Sequence, residues 1–288
     1  MTNDGESRKH DGENPLRFDL DAYLRRIEYG GELRPSRAVL ESLHVAHATH
    51  IPFENLDILR GRPILLDLAS VQNKLVASRR GGYCFEQNLL FSTALEALGF
   101  TVTRLAARVR LGSDVRRART HMMLLVDVDA ARWIADVGFG ATGSPWPVPF
   151  GGGQESCRSA WTYRVVAAEG QWLLQSRLEA SWSDLYTFTL EPQEQVDYEM
   201  ANHYTSTYPS SPFTQIVIAQ RLTPDVRRML RNRDYSEDRG TSVTHRLLAD
   251  DNEMLAVLAE EFGLRFPAGT RFRYRDDADG FQRSTKST

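Results

Sequence analysis

An α+β fold is predicted by three observations. Helical periodicity fills the first hundred residues, the texture switches to strand-like runs at Thr101, and short helices interrupt an irregular last third. Residues 1 to about 15 are polar and read as disordered. Leu20, Tyr23, Leu24 and Ile27 mark an amphipathic helix ended near Gly30 and Gly31. Ser36 is a good N-cap for a second helix carrying Val39, Leu40, Leu43 and Ala46. A third, capped by Asp67, carries Val71 and Leu75. A fourth runs from Cys84 to about Leu98, with Gly99 where a helix stop is expected.

Strand-like runs follow at 101–110, 121–128, 132–138, 162–166, 171–175 and 185–190. Antiparallel strands curling into a barrel or sandwich fit this spacing. The Gly-, Pro- and Ser-rich segment from Ala141 to Ala160 reads as a long surface loop holding Cys157, a non-catalytic cysteine without an evident partner. Past Glu191 the chain reads as irregular through Tyr204–Phe213. A helix is expected from Thr223-Pro224, another from Asp251 to Phe262 closed by Gly263, a final strand at Arg271–Tyr274, and a frayed tail.

Composition excludes several classes. With 41% hydrophobic and 25% charged residues and a net charge of -3, the chain reads as an ordinary globular protein, with no case for nucleic acid or an anionic membrane. The polar N-terminus lacks a signal-peptide core, and no apolar run approaches the roughly 20 residues that cross a bilayer. Two cysteines suggest no disulfide framework, so a soluble protein of a reducing, cytoplasmic interior is expected. Of His44, His47 and His50 the first two share a helical face, but no carboxylate or cysteine completes a metal set at usual spacing, so packing or surface roles are expected and no metal.

The stretch Arg79-Arg-Gly-Gly-Tyr-Cys-Phe-Glu-Gln-Asn88 delivers Cys84 to a helix N-terminus. There the macrodipole and unpaired backbone N–H groups favour a thiolate, the nucleophilic form. A cysteine in this position reads either as such a nucleophile or as a small buried apolar side chain. Glu54 and Asp57 sit among apolar residues in Ile51–Asp57, where uncompensated charge is costly, and Arg80 is their candidate partner. Folding 121–138 as a tight hairpin about Asp129 places His121 opposite residues 136 to 138, within reach of the Asp136 carboxylate. That pair is the base and orienter of a nucleophile triad, or a hairpin ion pair unrelated to Cys84. Sequence alone does not bring Cys84 to His121.

The motifs R-R-G-G-Y-C-F-E-Q-N (79–88), T-H-M-M-L-L-V (120–126), A-D-V-G-F-G (135–140), I-P-F-E-N-L-D (51–57) and Y-T-S-T-Y-P-S-S-P-F (204–213) closely resemble the arylamine N-acetyltransferase family, in family order over residues 18 to 275. The resemblance implies a helical bundle (1–100) carrying the nucleophile, a β-barrel (101–205) carrying His and Asp, and an α/β lid with tail (206–288). It implies a cysteine-protease-like triad of Cys84, His121 and Asp136. It also implies ping-pong acetyl transfer from acetyl-coenzyme A, a co-substrate, to an arylamine, arylhydrazine or N-hydroxyarylamine.

Phe139 resembles the family's aromatic wall for the acceptor ring, and Tyr83 is assigned to the same substrate site. Thr120 and Phe213 match positions along the coenzyme A cleft. Arginines 104, 108, 110, 116, 117 and 119 would attract its phosphates or stand solvated. Gly151–Gly153 lacks the setting of a phosphate loop. The stretch Ser144–Phe150 is more proline-rich than the family pattern, so the cleft beside it is expected to differ. The alternative reading is an amide synthase of the same superfamily, closing a macrolactam from a carrier-bound polyketide.

Overall fold

The structure, a computed structural model, describes residues 18–113, 115–158, 160–178 and 181–275. The expected disordered start and frayed tail lie outside the described residues. Helices α1 (Leu20–Arg26), α2 (Arg37–His50), α3 (Leu56–Leu59), α4 (Leu68–Gln72) and α5 (Cys84–Ala97) form the first part, and α4 runs on into a π-helical turn, Asn73–Ala77. The caps are those the sequence offers. Asp19, Ser36 and Asp67 accept the N–H groups of Ala22, Val39 and Ser70. Gly99, at φ 88°, closes α5: its N–H bonds the Glu96 carbonyl and that of Phe100 bonds Leu95, a Schellman end.

Helix α5 is buried almost all round, from Cys84 to Leu95 apart from Thr93. Such a helix is a core element, and the rest packs about it. One side meets Tyr23, Leu40, Leu43 and Leu75 of the other helices; another meets Met122, Leu124 and Val126 of the adjoining sheet.

That sheet is antiparallel. Its strands are β2 (Thr101–Val109), β3 (His121–Val128), β4 (Ala131–Ala135), β5 (Val148–Pro149), β6 (Ser156–Arg158), β7 (Trp161–Ala168), β8 (Gln171–Leu178) and β9 (Ser181–Phe188), in the order β5-β4-β3-β2-β9-β8-β7-β6. It curls into a nearly closed barrel. Alternate residues of β3, Met123 and Leu125, point into a second core with Tyr163, Tyr186 and Phe188. Strand β3 is thus buried on both faces, which explains its uninterrupted apolar run. The sheet β1-β10-β11-β12-β13 joins β1 (Phe53–Glu54), from the helical part, to β10 (Ile218–Leu222), β11 (Arg227–Arg231), β12 (Asp234–Asp238) and β13 (Val243–Leu247). Completing the chain are α6 (Gln195–Thr207), α7 (Pro212–Gln215) and α8 (Asp251–Glu261). Among the described residues no helix is long and apolar enough to cross a membrane.

Four sequence expectations give way. Thr223-Pro224 starts no helix: it turns β10 into β11, with the Thr223 hydroxyl accepting Val226 N–H at 3.0 Å and Leu222 paired with Arg227. Proline suits the second position of a β-turn as well as a first helical turn. Arg271–Tyr274 is not a strand but an extended strap, tied by Arg273 N–H to the Leu59 carbonyl at 3.0 Å. The segment 141–160 is no surface loop: Ala141, Ser144, Trp146 and Val148 are buried, and it contributes β5 and β6. Tyr204–Thr207, read as irregular, is the last turn of α6. Those residues are poor helix formers; docking holds the helix, through Gln195 to the Leu66 carbonyl and Asn202 to that of Ile64.

Candidate active site

Cys84 is the first residue of α5, where backbone N–H groups have no intrahelical acceptor. The turn before it is fixed by a parallel bridge between Phe53 and Gly82: Glu54 N–H donates to the Gly82 carbonyl at 3.0 Å, and Gly82 N–H to that of Pro52 at 3.3 Å. The backbones pass so closely that a Cβ on Gly81 would lie 2.1 Å from the Pro52 oxygen. Only glycine fits there. The Glu86 carboxylate closes the helix start by accepting Tyr83 N–H at 3.1 Å.

Charge under this turn is compensated in a cluster. Arg80 donates to Glu54 at 2.6 Å and to Asp57 at 3.2 Å, as the sequence suggested. Lys74, which sequence reasoning missed, donates to Glu86 at 2.7 Å and lies 3.4 Å from Asp57. Burial works against the charged forms of Lys74 and Arg80, but the carboxylates win and raise both pKa values. Burial likewise opposes ionisation of Asp57, and the two cations outweigh it and hold its carboxyl low. Glu86 is the exception, pushed up by burial despite Lys74. Buried charges so arranged offset their desolvation only as a set.

The hairpin of β3 and β4 turns through Asp129 and Ala130, both at positive φ, a two-residue loop of the primed type. Its ladder ends at Leu124 and Ala135, so Asp136 reaches diagonally beyond it, and His121 Nε2–H donates to Asp136 Oδ2 at 2.7 Å. Asp136 Oδ1 accepts from Asn88 Nδ2 at 2.9 Å and from Gly138 N–H at 3.0 Å. With Nε2 taken, Nδ1 is the ring nitrogen left for Cys84, which is close enough to the imidazole to help raise its pKa. The thiol also lies 3.6 Å from the Thr120 carbonyl. Burial would lower the His121 pKa; the charge and hydrogen bond of Asp136, then Cys84, overcome it and raise it to about 10. Asp136 is held low against burial, chiefly by His121. Cys84, His121 and Asp136 are thus one buried cluster, at 4%, 3% and 7% exposure.

Helix and barrel are joined here by Asn88, which sequence reasoning quoted only within a motif. It bonds the Met122 carbonyl of β3 at 2.7 Å, the Asp136 carboxylate, and Val137 N–H at 3.1 Å. Gly138 packs directly on the nucleophile: a Cβ there would meet Cys84 Cα at 2.8 Å.

Phe139, half-buried, stands edge-on to His121 at 4.9 Å between ring centroids, and Tyr186, also missed, lies 5.0 Å from His121. Burial and the nearby Asp136 raise the Tyr186 phenol well above its ordinary value. Thr120 and Phe213 are half-buried; Phe213 packs on Tyr83, and its carbonyl accepts from Asn55, which also bonds Ile216 and Ile218. Tyr83 itself is fully buried, its hydroxyl donating to Asn202. It has no open face for a ligand and serves to pin α6 to the nucleophile's helix. Of the basic stretch, Arg104 and Arg119 pair with Glu96 and Glu191, Arg108 bonds the Arg117 carbonyl, and Arg116 and Arg117 are exposed. His44 and His47 are buried and hydrogen-bonded, and His50 bonds the Ala46 carbonyl.

A family model described as N-acetyltransferase matches residues 37–270. An arylamine N-acetyltransferase of Escherichia coli (strain K12) is 38% identical over 248 residues, 85% of this chain and 88% of that protein. A crystal structure of Nocardia farcinica arylamine N-acetyltransferase superposes with a TM-score of 0.82 at 41% identity, covering 88% of this chain and 92% of that one. A Mycobacterium marinum arylamine N-acetyltransferase in complex with CoA superposes with a TM-score of 0.81 at 34% identity, covering 85% and 93%.

Proposed function

The chain belongs to the arylamine N-acetyltransferase family, and on that premise we propose that Cys84, His121 and Asp136 pass an acetyl group from acetyl-coenzyme A to an arylamine, arylhydrazine or N-hydroxyarylamine. The observation that carries this reading is His121, bonded at Nε2 to Asp136 at 2.7 Å and buried beside Cys84, which leaves Nδ1 as the nitrogen available to the thiol. In the first half-reaction His121 takes the thiol proton. The Cys84 thiolate attacks the thioester carbonyl, the carbon–sulfur bond to coenzyme A breaks, and the imidazolium returns its proton to the departing thiolate. Backbone N–H groups at the start of α5, which lack intrahelical acceptors, are the expected donors to the transient oxyanion.

In the second half the neutral acceptor amine attacks the Cys84 thioester and gives its proton to His121, and Cys84 leaves as thiolate, restoring the starting pair. An aromatic amine suits this step because it is largely unprotonated at neutral pH. Phe139, edge-on to His121, supports an acceptor ring lying beside the imidazole. The M. marinum complex supports coenzyme A as the carrier. For its path Thr120, just before β3 with its carbonyl 3.6 Å from the Cys84 sulfur, and Phe213 of α7, packed on the neighbouring Tyr83, remain the assigned contacts, with the exposed Arg116 and Arg117 at hand for phosphates. The names of the relatives do not favour the amide-synthase alternative.

The test is direct. Incubated with acetyl-coenzyme A, the protein should gain one acetyl group on Cys84 by intact mass, and an aniline or hydrazide should discharge it. Cys84→Ala should gain none. An unmodified wild-type protein, or acetylation persisting in Cys84→Ala, would refute the assignment.

A further inference from the structure

Helix α2 carries two buried histidines, His44 and His47, at 1% and 0% exposure. Their bonds fix their tautomers. A backbone N–H can only donate, so His44 Nε2, 3.1 Å from Asp136 N, is an acceptor. Its Nδ1 then carries the proton and donates to the Pro145 carbonyl at 3.0 Å. His44 is a neutral imidazole with both nitrogens used, and burial, its largest influence, lowers its pKa to about 4. His47, lowered by burial to about 3, donates from Nε2 to Gln87 Oε1 at 2.7 Å, and Gln87 in turn donates to the Pro52 and Gly82 carbonyls.

We propose that His44 is a positioning residue of the triad: it grips the backbone of Asp136, and because it is neutral it leaves the carboxylate's charge to His121. Asp136 lies past the end of the β3–β4 ladder, so no strand partner holds its N–H. His44 supplies the missing acceptor and ties it, through Pro145, to the segment following Phe139. The groups facing His44 are Asp136, His47 on its own helix and the Phe91 ring of α5; those facing His121 are Asp136, Cys84, Tyr186 and the Phe139 ring.

The proposal rests on the triad reading, and the experiment separates the two. Acetylation of Cys84 is followed in a single turnover by coenzyme A release, from pH 6 to 10.5, in wild type, His44→Asn and His44→Gln. The amide of Gln extends to the place of Nε2 and can still accept Asp136 N–H. That of Asn stops near Nδ1 and keeps only the Pro145 bond. Asn should slow acetylation about tenfold or more, the range expected when a positioning bond behind a reactive group is lost. It should also move the alkaline inflection, set by His121, down by about one unit. Gln should stay within about threefold of wild type. Should the Asn variant not melt as a folded protein, His44→Phe, which keeps the ring volume and neither bond, takes its place with the same expectation. Equal rates in the two variants, whether high or low, or an unmoved inflection would overturn the role, because a packing residue has no reason to shift a pH profile. If wild type itself fails to acetylate, the triad reading falls instead.

Discussion

Replacing Asp136 by Asn tests the triad most sharply, because the structure dictates which way the new amide must face. Oδ1 of Asp136 receives two donors, Asn88 Nδ2 at 2.9 Å and Gly138 N–H at 3.0 Å. In the variant the amide oxygen must stay there, since an NH2 group would set donor against donor twice. The NH2 therefore takes the place of Oδ2, 2.7 Å from His121 Nε2. That nitrogen must then accept, and the ring proton moves to Nδ1, the nitrogen left for Cys84. An imidazole so arranged cannot take the thiol proton. The carboxylate's charge is lost as well, and with it the main influence that raises His121 from 6.5 to about 10 against burial. The same exchange in a serine triad costs about 10⁴-fold through the wrong tautomer, so a fall of about 10³ to 10⁴ in the acetylation rate is expected here. Single-turnover release of coenzyme A, with Cys84→Ala as blank, measures it, and the near-isosteric change should leave the melting transition cooperative. Acetylation within tenfold of wild type between pH 6 and 9 would refute the reasoning.

Three further outcomes follow from the same geometry. The His121 pKa is raised on folding, so its pairing contributes stability fully below about pH 6.5 and loses it as pH rises through about 10. Chemical denaturation across that window should show the decline in wild type and not in Asp136→Asn; parallel profiles would contradict it. Gly81→Ala drives a Cβ to 2.1 Å from the Pro52 backbone oxygen, which cannot yield as a side chain does, and should cost about 3 kcal/mol of stability by denaturant titration. A change under 1 kcal/mol would show that the turn gives. Arg80→Met leaves Glu54 without its guanidinium and Asp57 with only Lys74 and Arg60 against it, and should cost about 3–5 kcal/mol; melting near wild type would mean that the carboxylates are hydrated.

How far the sequence reached depends on the range of the interaction. Helix starts at Leu20, Arg37 and Leu68 follow from caps that act within one turn, and the strands from alternation along a single run. The His121–Asp136 contact was legible for the same reason, a hairpin being a local object whose turn fixes its register. Where a local signal serves two structures, reading failed: Thr223-Pro224 suits a helix start and a β-turn equally. At α6 the local preference was overruled by docking, as the Asn202 and Gln195 side chains bond carbonyls more than a hundred residues away. The segment 141–160 misled by composition. Its prolines and glycines punctuate it, yet Trp146 and Val148 between them supply core.

The meeting of Cys84 with His121 joins residues far apart in sequence and was not legible as a contact, although its cause was written in α5. A helix buried on nearly every side has no solvent for its polar side chains, and this one carries Glu86, Gln87 and Asn88 in succession, starting two residues after the nucleophile. Buried polar groups must find partners, so each had to reach another element. Glu86 takes Lys74 and the Tyr83 N–H, Gln87 the carbonyls of Pro52 and Gly82, and Asn88 both the strand of His121 and the Asp136 carboxylate. The first two hold the nucleophile's turn in place, and the third brings the barrel's two catalytic side chains to it. Three adjacent polar residues in a core helix are therefore the physical link between the parts, and they explain why one helix end can present a thiol to a base carried by a different sheet.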